Sequence, residues 1–280
     1  MRPALAVLAA LLAACTTPPP ASQIATEPAR RPVLTMGTPF DVPAIVIDTG
    51  RKGLPPDVRD CVDVRATANP DQRMAACSAA IGARRHSDEI MSSFYETRSM
   101  LLLDRGDLPQ ALADAETALR LDRRSSLAWF QRATVRHRLN DDSGALADYN
   151  EALTRRPDFG SARLLRSAIH ARAGRYDLAL ADADLAIRFT PTAPNPYVMR
   201  AFVLHRMNRL PAAIADLDQA AAIAPHRADI RNQRGLAHAA SGNRRQALAD
   251  YTEAARLDPS RPAYAENRRL LESGFVRPPP

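Results

Sequence analysis

The residue types best suited to chemistry recur at regular intervals along this chain. Four histidines, His137, His170, His205 and His238, return about once every 34 residues, and imidazole is the commonest metal ligand and proton carrier. Regularity argues against a shared ion: residues two repeats apart on stacked helical layers are separated by about 20 Å, too far for one metal. Arginines 98, 132, 166, 200 and 234 form a second series, and Asp114, Asp148, Asp182, Asp216 and Asp250 a third at a constant offset. A guanidinium and a carboxylate repeated in this way suit a two-bond fork between neighbouring helices. A binding site would not need the same pair five times. The sequence contains no H-E-x-x-H, no phosphate-cradling glycine loop and no nucleophile elbow.

The elements that position these residues follow from the repeat itself. From Ser92 the chain divides into five 34-residue units beginning at Ser92, Ser126, Gly160, Pro194 and Ala228. Aligning them places Ala111, Ala145, Ala179, Ala213 and Ala247 in one column and Ala118, Ala152, Ala186, Ala220 and Ala254 in another. Each unit breaks at a column restricted to Gly106, Asn140, Gly174, Asn208 and Gly242, residues that enter the left-handed region cheaply. A second break falls at Pro157, Pro191, Pro225 and Pro259. Each unit therefore predicts two helices that bury their apolar faces only against neighbouring units.

With Trp129 or Tyr95 early in the first helix, small residues Ser99, Ala133, Ser167, Ala201 and Gly235 at the crossing, and Tyr149 or Tyr251 in the second helix, the units resemble tetratricopeptide repeats. The resemblance spans 92–261 and departs at Arg123, where the proline is missing, and at Asp142 and Arg155, where apolar residues are expected. It implies an all-α, right-handed superhelical solenoid whose first helices line a concave groove. By register, Phe130, Leu164, Val198 and Phe202 would floor that groove, with His137 and His205 beside them and Arg138, Arg172 and Arg206 as a basic stripe. Such a groove suits an extended peptide carrying acidic groups. The Lys and Asn pattern of the family's dicarboxylate clamp is absent from the comparable columns, which hold Phe130, Leu164, Thr134 and Ala168. Beyond the array, Ser260 and Pro262 open a helix with Tyr264, Arg268 and Leu271 on one face and Gly274 as its stop, expected to cap the open end.

The N-terminus carries Arg2, the apolar run Ala4 to Leu12, and Leu12-Ala13-Ala14-Cys15. The run is too short to span a membrane, and the tetrapeptide resembles a bacterial lipobox. That resemblance implies cleavage before Cys15, acylation of Cys15, and attachment to the periplasmic face of an outer membrane, with Thr16 after the cysteine favouring that membrane. Two or three acyl chains anchor durably where one does not. Prolines crowd the stretch from Cys15 to Asp57, which predicts an extended tether reaching up to about 100 Å. Its Asp48-Thr49-Gly50 is similar to the triplet of aspartic proteases, but those enzymes pair two carboxylates across β-lobes, and Arg51 and a helical array follow here. With Cys15 acylated, Cys61 and Cys77 remain as an even pair in an oxidising compartment, which favours a disulfide; they lack redox-motif spacing.

Charge excludes less than location does. The formal charge is +7, with 25% charged and 46% hydrophobic residues in 280, and removal of Arg2 lowers the charge by one. In an exported protein that balance points to acidic peptides, anionic lipid or cell-wall polymer rather than nucleic acid, and the array lacks base-stacking aromatics. The expected organisation is a signal peptide at 1–14, a lipidated tether at 15–56, a Cys-bridged cap or half repeat at 57–91, five repeats at 92–261, a capping helix at 262–274 and a tail at 275–280. The expected function is a non-enzymatic adaptor, without cofactor or metal, that gathers other envelope proteins in its groove; the alternative is a structural protein holding cell-wall polymer or anionic lipid directly.

Overall fold

The structure is a computed structural model and describes residues 55–63 and 69–274. Cys15, Asp48, the signal segment, nearly all of the tether and the tail 275–280 lie outside the described residues. Thirteen α-helices are described: α1 (Pro56–Val62), α2 (Pro70–Ala83), α3 (Asp88–Arg105), α4 (Leu108–Leu121), α5 (Ser126–Arg138), α6 (Asp142–Arg155), α7 (Gly160–Arg172), α8 (Tyr176–Phe189), α9 (Pro194–Arg206), α10 (Leu210–Ile223), α11 (Ala228–Ala240), α12 (Arg244–Leu257) and α13 (Pro262–Glu272). The units pair α3 with α4, α5 with α6, α7 with α8, α9 with α10 and α11 with α12, and form the expected superhelical solenoid.

Each first helix stops where the restricted column requires. Gly106, Asn140, Gly174, Asn208 and Gly242 all have positive φ, between 57° and 81°, so the chain reverses in two or three residues. The alanine columns are wholly buried, and their small size lets the paired helices approach closely. At the crossing, the Ser99 and Ser167 hydroxyls donate to the carbonyls of Ala111 and Ala179 at 2.8 and 2.7 Å, which ties each first helix to the backbone of its second. The second break is also closed by hydrogen bonds: Tyr197 OH donates to the Pro191 carbonyl at 3.1 Å, and Arg163 to that of Pro157. Arg123 lacks the proline ring, yet its carbonyl accepts both Trp129 Nε1 and Arg155 Nε at 3.0 Å. Arg155, the polar departure in the second helix, thus bonds the neighbouring loop while stacking over Trp129.

First helices of successive units touch, as α3 with α5 and α7 with α9, whereas second helices make no comparable approach. The first helices therefore lie on the inside of the curve. At the leading end α1 and α2 pack on α3 with a Cys61–Cys77 disulfide between them, and His86 holds Asp57 at 2.7 Å. At the trailing end α13 buries Tyr264 and Leu271 against α11 and α12.

Candidate functional site: the inner face of the array

Inward-facing positions recur along each first helix, and the structure sorts them into sealed and open columns. Phe130, Leu164 and Val198 are sealed, at 2%, 4% and 5% exposure, which corrects the expectation that they floor the groove. The cause is packing between units and between the two helices of one unit: a side chain in this column enters the seam they form. Phe130 stacks with Phe159 at 4.7 Å and Tyr149 at 5.9 Å, Leu164 packs with Met199 and Val203, and Val198 packs with Leu217 and Ile230. The same column holds a carboxylate at its leading end. Glu96 is buried, accepts from Ser125 Oγ at 2.5 Å and Ser92 Oγ at 3.4 Å, and has its pKa pushed up to about 7 by burial, against the pull of those hydroxyls.

The accessible floor lies one turn further along each first helix, in the column Met100, Thr134, Ala168, Phe202 and Leu236. Met100, Ala168 and Phe202 are half-buried and Leu236 is 40% exposed, so the most open apolar part of the inner surface lies at the fifth unit, next to Phe202 of the fourth. Leu236 escaped the sequence reading, although it stands 34 residues after Phe202 in the same column. Ala239 and Ala240 extend this patch, and His205 and Arg206 border it.

The expected basic stripe is also corrected, because its arginines are engaged with neighbours. Arg172 Nη2 donates to Asp142 Oδ1 and lies 3.2 Å from His137 Nδ1, which is 3.1 Å from the same carboxylate. Arg206 Nε donates to Tyr176 OH at 3.2 Å. Asp142 and Tyr176 both open a second helix and are equivalent positions in successive units, so the departure from an apolar residue at Asp142 makes the ion pair. Arg138 acts on Asp104, whose carboxyl is raised by burial and drawn back by Arg138 and Arg73. The first three units thus present an acid–base rim, and the fourth presents Arg206 beside bare apolar surface. Burial lowers the pKa of both His137 and His205, with Arg206 adding repulsion at His205, so both imidazoles favour the neutral form. Among the described residues no group of three or more His, Cys, Asp or Glu is placed to hold a metal ion. His170 and His238 bury Nδ1 without a hydrogen-bond partner.

The Arg and Asp series form the forks that their offsets imply. In every unit Arg Nε and Nη2 donate to the two carboxylate oxygens at 2.6–2.9 Å, from Arg98 to Asp114 through Arg234 to Asp250. The third nitrogen reaches backwards: Arg166 to Asn150 at 2.6 Å, Arg200 to Asp184 and Arg234 to Asp218 at 2.8 Å. These links lock the third, fourth and fifth units each to the one before it. They belong to the framework that holds the inner face in shape.

Sequence models described as Tetratricopeptide repeat match residues 97–158, 138–194, 167–232 and 228–261, together more than half of the chain. No curated protein matches it. Among solved structures, YrrB, a TPR protein with an unusual peptide-binding site, is 20% identical with TM-score 0.54, covering 70% of this chain and all of its own. TTC0263, a thermophilic TPR protein of Thermus thermophilus, is 20% identical with TM-score 0.55, over 65% of this chain and 99% of its own. MamA of Desulfovibrio magneticus RS-1 is 19% identical with TM-score 0.54, over 61% and 96%. At these identities the likeness is one of fold, and the matched repeats place this chain in the tetratricopeptide repeat family.

Proposed function

We propose that the protein is a lipid-anchored periplasmic scaffold that holds a partner's peptide or helix against the inner face of its fourth and fifth units. One observation carries this reading: Leu236 is an exposed large apolar side chain on the inner face, in the column of half-buried Phe202 and beside Arg206 and His205. An array that buries its repeats only against one another has no internal use for such a patch. A partner segment with an apolar anchor and a nearby acidic group is its complement. YrrB, of the same fold, has a peptide-binding site, which supports peptide binding by an array of this kind. The address rests on Leu12-Ala13-Ala14-Cys15, and acylated Cys15 would hold the array on the periplasmic face of the outer membrane, where other envelope proteins are the available partners and envelope or cell-wall assembly is the setting.

The test is cross-linking in intact envelopes followed by mild capture, comparing wild type with Leu236→Asp. Leu236 is exposed enough that its replacement leaves the fold intact. A partner captured by wild type and lost from the variant is the expected result; an array that captures nothing, or captures equally with Leu236→Asp, overturns the site.

A further inference from the structure

The two long edges of the array differ in how their arginines are used. Along the edge where second helices lead into the next unit, acids are interspersed with the arginines: Arg124 pairs with Glu89, Arg156 with Asp158, Arg227 with Asp229 and Arg256 with Glu253, beside exposed Arg120, Arg123 and Arg188. Along the opposite edge, where first helices turn into second helices, the later units do the reverse. Arg175 and Arg209 occupy equivalent positions just before α8 and α10, and Arg244 and Arg245 open α12. All four are exposed. No described carboxylate pairs with Arg175, Arg209 or Arg245, and Arg244 donates only to the Glu272 carbonyl. Two acids lie among them, Asp177 and Glu272, the second of which pairs with Arg268.

Apolar side chains stand on this same edge. Leu178, in the first turn of α8, is 53% exposed, and Leu139, capping α5 at the turn of the second unit, is 42% exposed. They are two of the four large hydrophobic side chains exposed among the described residues; a third, Leu236, belongs to the inner face, and the fourth, Phe189, ends α8 on the other edge. Successive turns are spaced by about 10 Å, so the cations form a line along an outward edge, without a concavity to enclose a ligand. Unpaired arginines interspersed with exposed leucines match the composition that settles at a bilayer interface, where cations meet headgroup phosphates and apolar tips enter the acyl boundary. An acidic polypeptide would satisfy the arginines but would leave the leucines in water.

We propose that this turn edge of units three to five docks on an anionic lipid surface, laying the array along the membrane with its inner face open to the side. This contact is separate from the groove and does not depend on what the groove binds. It is tested with the full chain carrying Cys15→Ser, by flotation with phosphatidylglycerol-containing vesicles and with phosphatidylcholine vesicles. Wild-type edge sequence is expected to float with the anionic vesicles in a salt-sensitive manner. Arg175→Glu, Arg209→Glu and Arg245→Glu together should weaken this by about 100-fold or more, and Leu178→Asp should weaken it separately. The acidic replacements sit at helix N-termini, where they are tolerated, and an unchanged melting curve checks the fold. Arg124→Glu, Arg156→Glu and Arg256→Glu change net charge equally on the other edge, at arginines already paired with acids, and should leave flotation intact. Equal loss in both triple variants, equal flotation with the two vesicle types, or capture by soluble polyglutamate without vesicle binding each overturns the proposal, the last in favour of an acidic protein partner.

Discussion

Arg200 and Asp184 meet at 2.8 Å across the boundary between the third and fourth units, while the same guanidinium grips Asp216 of its own unit through two further bonds. One side chain therefore fixes both the fold of a unit and its attachment to the unit before it. Asp216 is buried and Asp184 is exposed. Removing the arginine strands Asp216, so Arg200→Ala is expected to destabilise by about 3–5 kcal/mol. Asp184→Asn removes only the solvent-exposed partner and should cost less than about 1 kcal/mol. Denaturant unfolding of the two variants measures both, and equal losses would show that the inter-unit bond matters as much as the fork.

Glu96 gives the array an unusual pH dependence. Its pKa is raised to about 7 in the fold by burial, against about 4.3 in an unfolded chain. Between those values the native state holds a proton that the unfolded state has released, so stability from this group is full below about pH 4 and falls as pH rises to about 7. The loss is on the order of 3 kcal/mol. Glu96→Gln keeps the hydrogen bonds to Ser92 and Ser125 without the charge. Unfolding at pH 5 and pH 8 should differ less in the variant than in wild type, and the variant should be the more stable at pH 8.

Gly235 and Gly82 separate tight packing from helix propensity. A Cβ at Gly235 would lie 2.7 and 2.8 Å from the Tyr251 ring and 3.3 Å from the Ala247 carbonyl, whereas one at Gly82 would meet nothing within 4 Å. Gly235→Ala is expected to destabilise by about 1–3 kcal/mol. Gly82→Ala, near the end of α2, should stabilise by about 0.5–1 kcal/mol. Thermal melts of the two variants should shift in opposite directions.

The Cys61–Cys77 bond closes a loop with a sequence separation of 16, and such a closure contributes about 3 kcal/mol in the chain-entropy picture. In an array the loss stays local. Reduction should speed hydrogen exchange in α1 and α2 while the second to fifth units keep their protection. Loss of helical signal along the whole chain would show that the cap supports every unit.

Cys15→Ser tests the address. Without acyl chains the protein should move from the membrane fraction to the soluble periplasmic fraction, apart from any salt-sensitive residue held by the turn edge. Unchanged fractionation in high salt would contradict the lipoprotein reading.

What the sequence determined by itself is the part of the fold that closes within one unit. The left-handed residues at Gly106, Asn140, Gly174, Asn208 and Gly242, the alanine columns and the Arg–Asp forks all connect residues a short distance apart on two consecutive helices. Repetition made those short-range preferences visible. Tertiary structure decided whatever depends on how units approach one another. Phe130, Leu164 and Val198 vanish from the inner surface because neighbouring helices and the next unit pack over them, and Arg172 is engaged because the Asp142 carboxylate of the preceding unit comes within its reach. The cap follows the same logic. Arg98 reaches back 20 residues to Ser78, where Arg166 reaches back 16 to Asn150, because α3, at 18 residues against 13 for α5, carries an added turn at its start. Inter-unit distance and the seating of each first helix on its neighbour are set by packing between layers, which a column of residue types does not encode.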